Sequence, residues 1–224
     1  AGASGRWTAL GWLGVVTGFL ILSYYGVIAG WTLHYVWLSM GGAFAGADGA
    51  SVGATFDAFL AAPWALVFYQ TLVMALTIWI VGRGVTRGIE AAIRWFMPLL
   101  FLLLWVLLIY SRNSGGFAQG WAFMFDFIWD VGGPETWLIA MGQAFFTLSF
   151  GMGTMMAYGA YVPDDSHIGS TVLTIVVLDT FVAVAAGLAI FPLVFVNGLE
   201  VGQGPGQMYV TLPQAYGQKP IGSQ

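Results

Sequence analysis

One stretch of the chain, TWLIAMGQAFFTLSFGMGTMMAYGAYV at residues 136–162, places polar Gln143, Thr147 and Ser149 inside an apolar run, with Gly151 and Gly153 just after them. Glycine costs about 1 kcal/mol against alanine in a helix interior. Two glycines separated by one residue, next to a serine, therefore mark a place where a helix can break. At bilayer depth a broken backbone is tolerated only where it lines a cavity or is buried in protein. There its freed carbonyls and dipole ends can hold ions and zwitterions. The same pattern also fits close helix packing, with Ser and Thr bonding their own backbone. Asp179 is the second candidate, in IVVLDTFVAVAAGLAIFP. A carboxylate at that depth is costly, so it faces the bundle interior and marks an ion path or proton relay, or else makes a structural bond to a neighbouring helix. Further upstream, Ile21 and Tyr25 lie one helical turn apart. A tyrosine hydroxyl there needs a partner if buried, and for Tyr24 or Tyr25 a neighbouring carbonyl suffices. Gly14, Gly18, Leu22, Gly26 and Gly30 recur every four residues and form a smooth ridge for close helix approach. His34 and His167 do not suggest a metal site. No nucleophile–base pair, phosphate loop or pair of catalytic carboxylates is visible, so the chain does not read as an enzyme.

The elements that must position these residues are membrane helices. Of 224 residues, 59% are hydrophobic and 7% charged, where a soluble domain carries about 25%. The surface has too few charges to face water, so most of it must face lipid. Eleven Trp suit belts at the two membrane interfaces. There is no cysteine, which excludes disulfides and thiolate metal sites, and no basic patch that would suit nucleic acid. Spanning takes about 20 apolar residues as a helix. Five spans are expected, at about 8–40, 63–82, 95–110, 136–162 and 168–196, with 197–224 as an extracellular loop, all in a single membrane domain. A Gly/Ala/Ser loop is expected after the first span and a short charged connector, GRGVTRGIEAAIRW, after the second. Arg83, Arg87 and Arg94 lie in that connector, which the positive-inside rule assigns to the cytoplasm. Alternation then places Arg6 and the Pro163–His167 loop inside as well, so four of the six basic residues are inside, with Arg112 and Lys219 outside. An odd number of spans and an Ala at position 1 lead us to expect a piece of a longer chain.

The segment GQAFFTLSFGMGTMMAYGAYV resembles the unwound sixth helix of the neurotransmitter:sodium symporter family, in particular its bacterial leucine-transporter-like amino-acid transporters. WTALGWLGVVTGFLILSYYGVIAGWTLHY resembles the third helix, and GVTRGIEAAIRWFMPLLFLLL the entry to the fifth. LDTFVAVAAGLAIFPLVF resembles the seventh helix, and GPGQMYVTLPQAYG the loop after it. The resemblance covers essentially the whole chain. It implies an all-α integral membrane fold: helices three to seven of a larger inverted-repeat bundle, one of them broken in mid-membrane. It implies that Tyr25 binds the substrate carboxylate and that Ile21 and Met152 line the side-chain pocket. Phe146 would be the aromatic lid, Ser149 a substrate contact in the unwound stretch, and Thr147 a ligand of the first sodium. Gln143 would stand near the extracellular gate and Tyr161 at the cytoplasmic gate.

The seventh helix departs from the chloride-dependent pattern of the family, which has neutral residues there. Counting back from the shared Pro192 places Asp179 within one residue of the family's sodium-ligand asparagine, which implies a sodium ligand that is also a fixed negative charge. The expected function is sodium-coupled symport of a neutral, mainly hydrophobic amino acid by alternating access in the plasma or inner membrane, with sodium required and chloride not. The partners expected are substrate, sodium, lipid and the remaining helices of the parent chain; the second sodium site would lie outside this chain. The alternative from another class is a membrane sensor on the same scaffold that binds an amino acid without moving it. An ion channel fits less well, because no ring-forming selectivity loop is visible.

Overall fold

The structure is a computed structural model that describes residues 5–126, 133–162, 167–201 and 204–217. Most of the expected 163–167 inner loop, Asp130 and Lys219 lie outside the described residues. The order is α1 (Gly5–Met40), α2 (Gly49–Leu60), α3 (Pro63–Gly82), a π-helical turn at Val85–Glu90 and α4 (Ala91–Arg112). Then come α5 (Phe117–Phe125), α6 (Pro134–Thr147), α7 (Thr154–Gly159) and α8 (Ile168–Val196), followed by a helical segment whose last turn is Leu212–Gly217. The fold is all-α, with no strand among the described residues.

Among the described residues, four helical stretches are long and apolar enough to cross a membrane: Thr8–Met40, Pro63–Gly82, Arg87–Arg112 and Ile168–Val196. Helices α1 and α3 begin and end about where the apolar runs do. Pro63 opens α3, where its missing N–H costs nothing because that amide has no helical partner anyway. The third span begins earlier than its apolar core, because the charged connector is itself helical: Val85–Glu90 winds as a π turn straight into α4. Its Arg83 guanidinium lies 3.8 Å over the Trp79 ring, a pairing suited to the headgroup level. Helices α2 and α5 and the helical segment Gly204–Gly217 lie outside the expected spans. In the Gly/Ala/Ser stretch, Asp48 accepts the Ser51 amide at 3.0 Å and starts α2. Hydrogen bonds from Ser51, side chain and then amide, hold the Asp48 carboxyl below its ordinary value.

The chain divides into two compact units. One comprises Ala1–Tyr25 with Phe127–Val184, the other Gly26–Asp126 with Ala185–Gln224. The second unit has the denser core. Tyr35, Phe44, Val52 and Tyr209 are buried together, and the Tyr209 hydroxyl donates to the Ile28 carbonyl at 3.0 Å and lies 2.9 Å from Thr32 Oγ1. The upper ridge glycines of α1 belong here: a Cβ at Gly30 would meet the Gln70 amide nitrogen at 3.0 Å, and one at Gly26 the Met74 sulfur at 3.3 Å. Gly30 lets α1 and α3 approach backbone to backbone, and Gly26 leaves room for the Met74 side chain. Near the end of α8, Pro192 has no amide hydrogen to give Leu188, four residues earlier. The wholly buried Ser111 of α4 donates its hydroxyl to that carbonyl at 2.9 Å. Gly120 of α5 lies against the Pro192 ring, leaving no room for a side chain of its own.

Candidate functional site

The site lies within the first unit. Helix α6 starts with Pro134 and runs fourteen residues to Thr147. The helical ladder then stops: Leu148 donates to Ala144, Ser149 to Phe146 and Phe150 to Phe145, and α7 begins only at Thr154. Among the described residues, no well-aligned backbone hydrogen bond reaches the carbonyls of 147–152. Three residues of this break have left-handed backbone: Ser149 at φ 57°, Gly151 at 79° and Gly153 at 77°. The two glycines accept that conformation freely; serine does not, at about 1–2 kcal/mol. Strain of this kind persists only where its surroundings enforce it, and it concentrates at functional sites. The expected fourth span is thus α6 and α7 with an unwound stretch between them, as the Gly151–Gly153 pair suggested.

Around the break is a cavity of about 520 Å³. Ile21 and Tyr25 reach it from α1, Gln143, Phe146 and Thr147 from α6, and Ser149 and Met152 from the break itself. Seven of the residues singled out from sequence therefore line one space. The Tyr25 and Phe146 rings are stacked, with centroids 6.4 Å apart and planes at 26°. Tyr24 packs edge-on to Tyr25 at 5.8 Å. Asp179, half-buried on α8, accepts the Thr147 hydroxyl on both carboxylate oxygens, at 3.1 and 3.2 Å. That bond ties the one charged residue of α8 to the last residue of α6, at the lip of the cavity. Tyr161 lies beyond α7, is 69% exposed and does not reach the cavity.

The donor set suits a hard cation. A hydroxyl oxygen, a carboxylate and the freed carbonyls of the break are all oxygen donors, and the carboxylate brings the negative charge a buried cation requires. Nothing here suits a transition metal: among the described residues no group of three His, Cys, Asp or Glu converges. Three lining residues escaped the sequence reading as site residues: Gly18, Leu22 and Thr154. The first two are members of the four-residue ridge of α1, whose spacing speaks equally for helix packing and for a cavity wall. A larger cavity, of about 690 Å³ in the second unit, is lined mainly by apolar and aromatic groups around Tyr35, Tyr209 and Tyr216. None of the residues singled out as a site reaches it, so its size does not make it the candidate.

The geometry is that of a known fold. The crystal structure of MhsT in complex with L-phenylalanine matches with a TM-score of 0.83 and 45% identity, over 94% of this chain and 48% of that one. The chain covers about half of this larger leucine-transporter-like bundle. An uncharacterized sodium-dependent transporter of Bacillus subtilis, YhdH, is 38% identical over 97% of this chain and 48% of its own length. An uncharacterized sodium-dependent transporter of Haemophilus influenzae is 29% identical over 95% and 47% respectively. The chain therefore spans about half the length of the curated relatives it matches. Residues 50–223 match the description of one family, and with the broken α6–α7 segment and its cavity they lead to one assignment: the chain belongs to the sodium:neurotransmitter symporter family.

Proposed function

We propose that the protein containing this chain carries a neutral, hydrophobic amino acid across the membrane together with sodium, by alternating access, and that this chain supplies one wall of the binding pocket. The observation that carries the reading is the cavity at the helix break, which gathers Ile21, Tyr25, Phe146, Thr147, Ser149 and Met152 and is linked through Thr147 to Asp179. Tyr25 takes the substrate carboxylate and Ser149 contacts the substrate beside the unwound backbone. Ile21 and Met152 receive the side chain, with Phe146 above it as a lid. Gln143 lines the route in, and Tyr161 belongs to the cytoplasmic gate. A thioether repacks around different shapes, which suits a pocket for medium and large apolar side chains.

Sodium, when bound, supplies positive charge at the lip of the cavity, and Thr147 and Asp179 are the residues of this chain that hold it. Asp179 has a second role. It offsets that charge in a low-dielectric site, so no bound chloride is required. The solved structure of MhsT is a complex with L-phenylalanine, which supports an apolar amino acid as substrate here.

The test is uptake by the full-length protein in proteoliposomes of the plasma or inner-membrane orientation, with labelled amino acids and an imposed sodium gradient. Uptake should follow the gradient, and a competition panel should be led by Phe, Leu or Met. Indifference to sodium across all twenty amino acids would remove the reading, and a panel led by Glu or Lys would remove its substrate class. Sodium-dependent binding without flux would identify a sensor instead.

A further inference from the structure

Four glycines of the α1 ridge have three different surroundings. Gly26 and Gly30 pack on α3, Gly18 opens onto the cavity with no atom within 4 Å of where its Cβ would be, and Gly14 meets the helix break. A Cβ on Gly14 would stand 3.2 Å from the Gly153 Cα and 3.5 Å from the Met156 methyl. A Cβ on Gly153 would stand 2.6 Å from the Gly14 Cα, a separation real Cβ atoms essentially never show. Two bare backbones are therefore in contact at this point, and one of them is the last left-handed residue of the break.

We propose that Gly14 is a positioning residue of the binding site: by lacking a side chain it seats the break at Gly153, and so sets where Ser149 and Met152 stand opposite Ile21 and Tyr25. The proposal rests on the reading of this cavity as a substrate site. The break has little to hold it from within, since the carbonyls of 147–152 take no well-aligned backbone bond among the described residues. Its position depends on what it leans against, and at its downstream end that support is the α1 backbone. A methyl group at Gly14 forces the break away by a few tenths of an ångström, whereas Ile21 and Tyr25, on α1 itself, stay in place. The two halves of the cavity wall then come out of register. Gly11, one turn earlier on the same helix, has nothing within 4 Å of its Cβ position, which makes it the matched control for any change in helix propensity.

The experiment uses the full-length transporter in detergent and in proteoliposomes, with L-phenylalanine and L-alanine as probes in sodium. A misplacement of about 1 Å can cost on the order of 100-fold where reacting groups must be held in register, and the shift expected here is smaller. Gly14→Ala should weaken both probes by a similar factor, about tenfold, and Gly14→Val should weaken them further. Gly11→Ala should leave both within about twofold, an ordinary surface effect. Gly18→Ala, which fills the cavity directly, should weaken L-phenylalanine more than L-alanine. Amide hydrogen exchange at 148–153 in the ligand-free protein gives a readout independent of substrate: it should quicken in Gly14→Ala and not in Gly11→Ala. Equal impairment by Gly11→Ala and Gly14→Ala would overturn the proposal, as would unchanged exchange in Gly14→Ala. If the wild type binds neither probe, the functional reading fails, and the exchange comparison still decides whether Gly14 seats the break.

Discussion

Asp179 and Thr147 concentrate the electrostatics of the site in one contact. The carboxylate is the only charge between Ile168 and Val196, and it holds a neutral hydroxyl with both oxygens. If a cation binds at the lip of the cavity, this carboxylate can offset its charge without a bound anion. We expect uptake by the full-length protein to be the same in chloride and in gluconate. Asp179→Asn should be impaired in both, with partial recovery in chloride if Gln143 and the nearby hydroxyls can cradle the anion. Wild-type uptake that collapses in gluconate would take the fixed-charge role away from Asp179. Ser149 supports a second prediction at this scale. Its φ of 57° is strained for any residue with a side chain. Ser149→Gly and Ser149→Ala both lose the hydroxyl, but only glycine relieves the backbone. The glycine variant should be the more stable of the two by about 1 kcal/mol in denaturant or thermal unfolding, while both bind substrate more weakly. Equal stabilities would mean that the backbone at 149 is not held left-handed.

The helices show two ways of handling backbone groups that lipid cannot satisfy. Between α6 and α7 the carbonyls of 147–152 take no well-aligned backbone bond among the described residues, and the break borders a cavity. In α8 such a group is caught by a neighbour: Pro192 withholds an amide from Leu188, and Ser111 of α4 supplies a hydroxyl in its place. Ser111→Ala should then destabilise the protein by about 1 kcal/mol, within the range measured for interhelical hydrogen bonds in membranes. In a Pro192→Ala background the residue 192 amide can serve Leu188 itself, so the same serine substitution should cost clearly less. A double-mutant cycle measures the difference, expected at about 0.5–1 kcal/mol. Additive costs would show that the serine and the proline act independently. Asp48 and α2 show how an element hides in a loop-like sequence. The stretch after Met40 is rich in Gly, Ala and Ser, residues that speak for turns, yet one capping carboxylate and the packing of Val52 and Phe59 suffice to wind twelve residues.

Across the whole molecule, the exposed apolar surface is what lipid and further helices require. Trp64 is 84% exposed and Trp95 82%, near the starts of α3 and α4, which suits aromatic belts at the membrane interfaces. The positive-inside rule gives the spans an expected orientation. With Arg83, Arg87 and Arg94 in the cytoplasm, single cysteines placed at Arg87 and Ser114 should be labelled from opposite sides by a membrane-impermeant maleimide, Arg87→Cys from within and Ser114→Cys from outside. Within these 224 residues no native cysteine competes for the label. Labelling of both from the same side would overturn the orientation.

Composition alone determined that the chain lives in lipid, because helices with 7% charged residues have no other stable solvent. The polar residues and paired glycines at 143–153 marked the break, because such a cluster is hard to satisfy in an unbroken membrane helix. The family resemblance added the roles expected of these residues. What tertiary structure decided is which face of each helix does what. In a soluble helix the buried face is written as an apolar stripe on a polar cylinder. In α1 and α8 the lipid face and the packed face are both apolar, so the pattern carries no such stripe. One ridge of glycines with a single spacing therefore turned out to serve three neighbours: the break at Gly14, the cavity at Gly18 and α3 at Gly26 and Gly30. The bond from Thr147 to Asp179, thirty-two residues apart, was likewise beyond local reading, because only the packing of α8 beside α6 brings the two together.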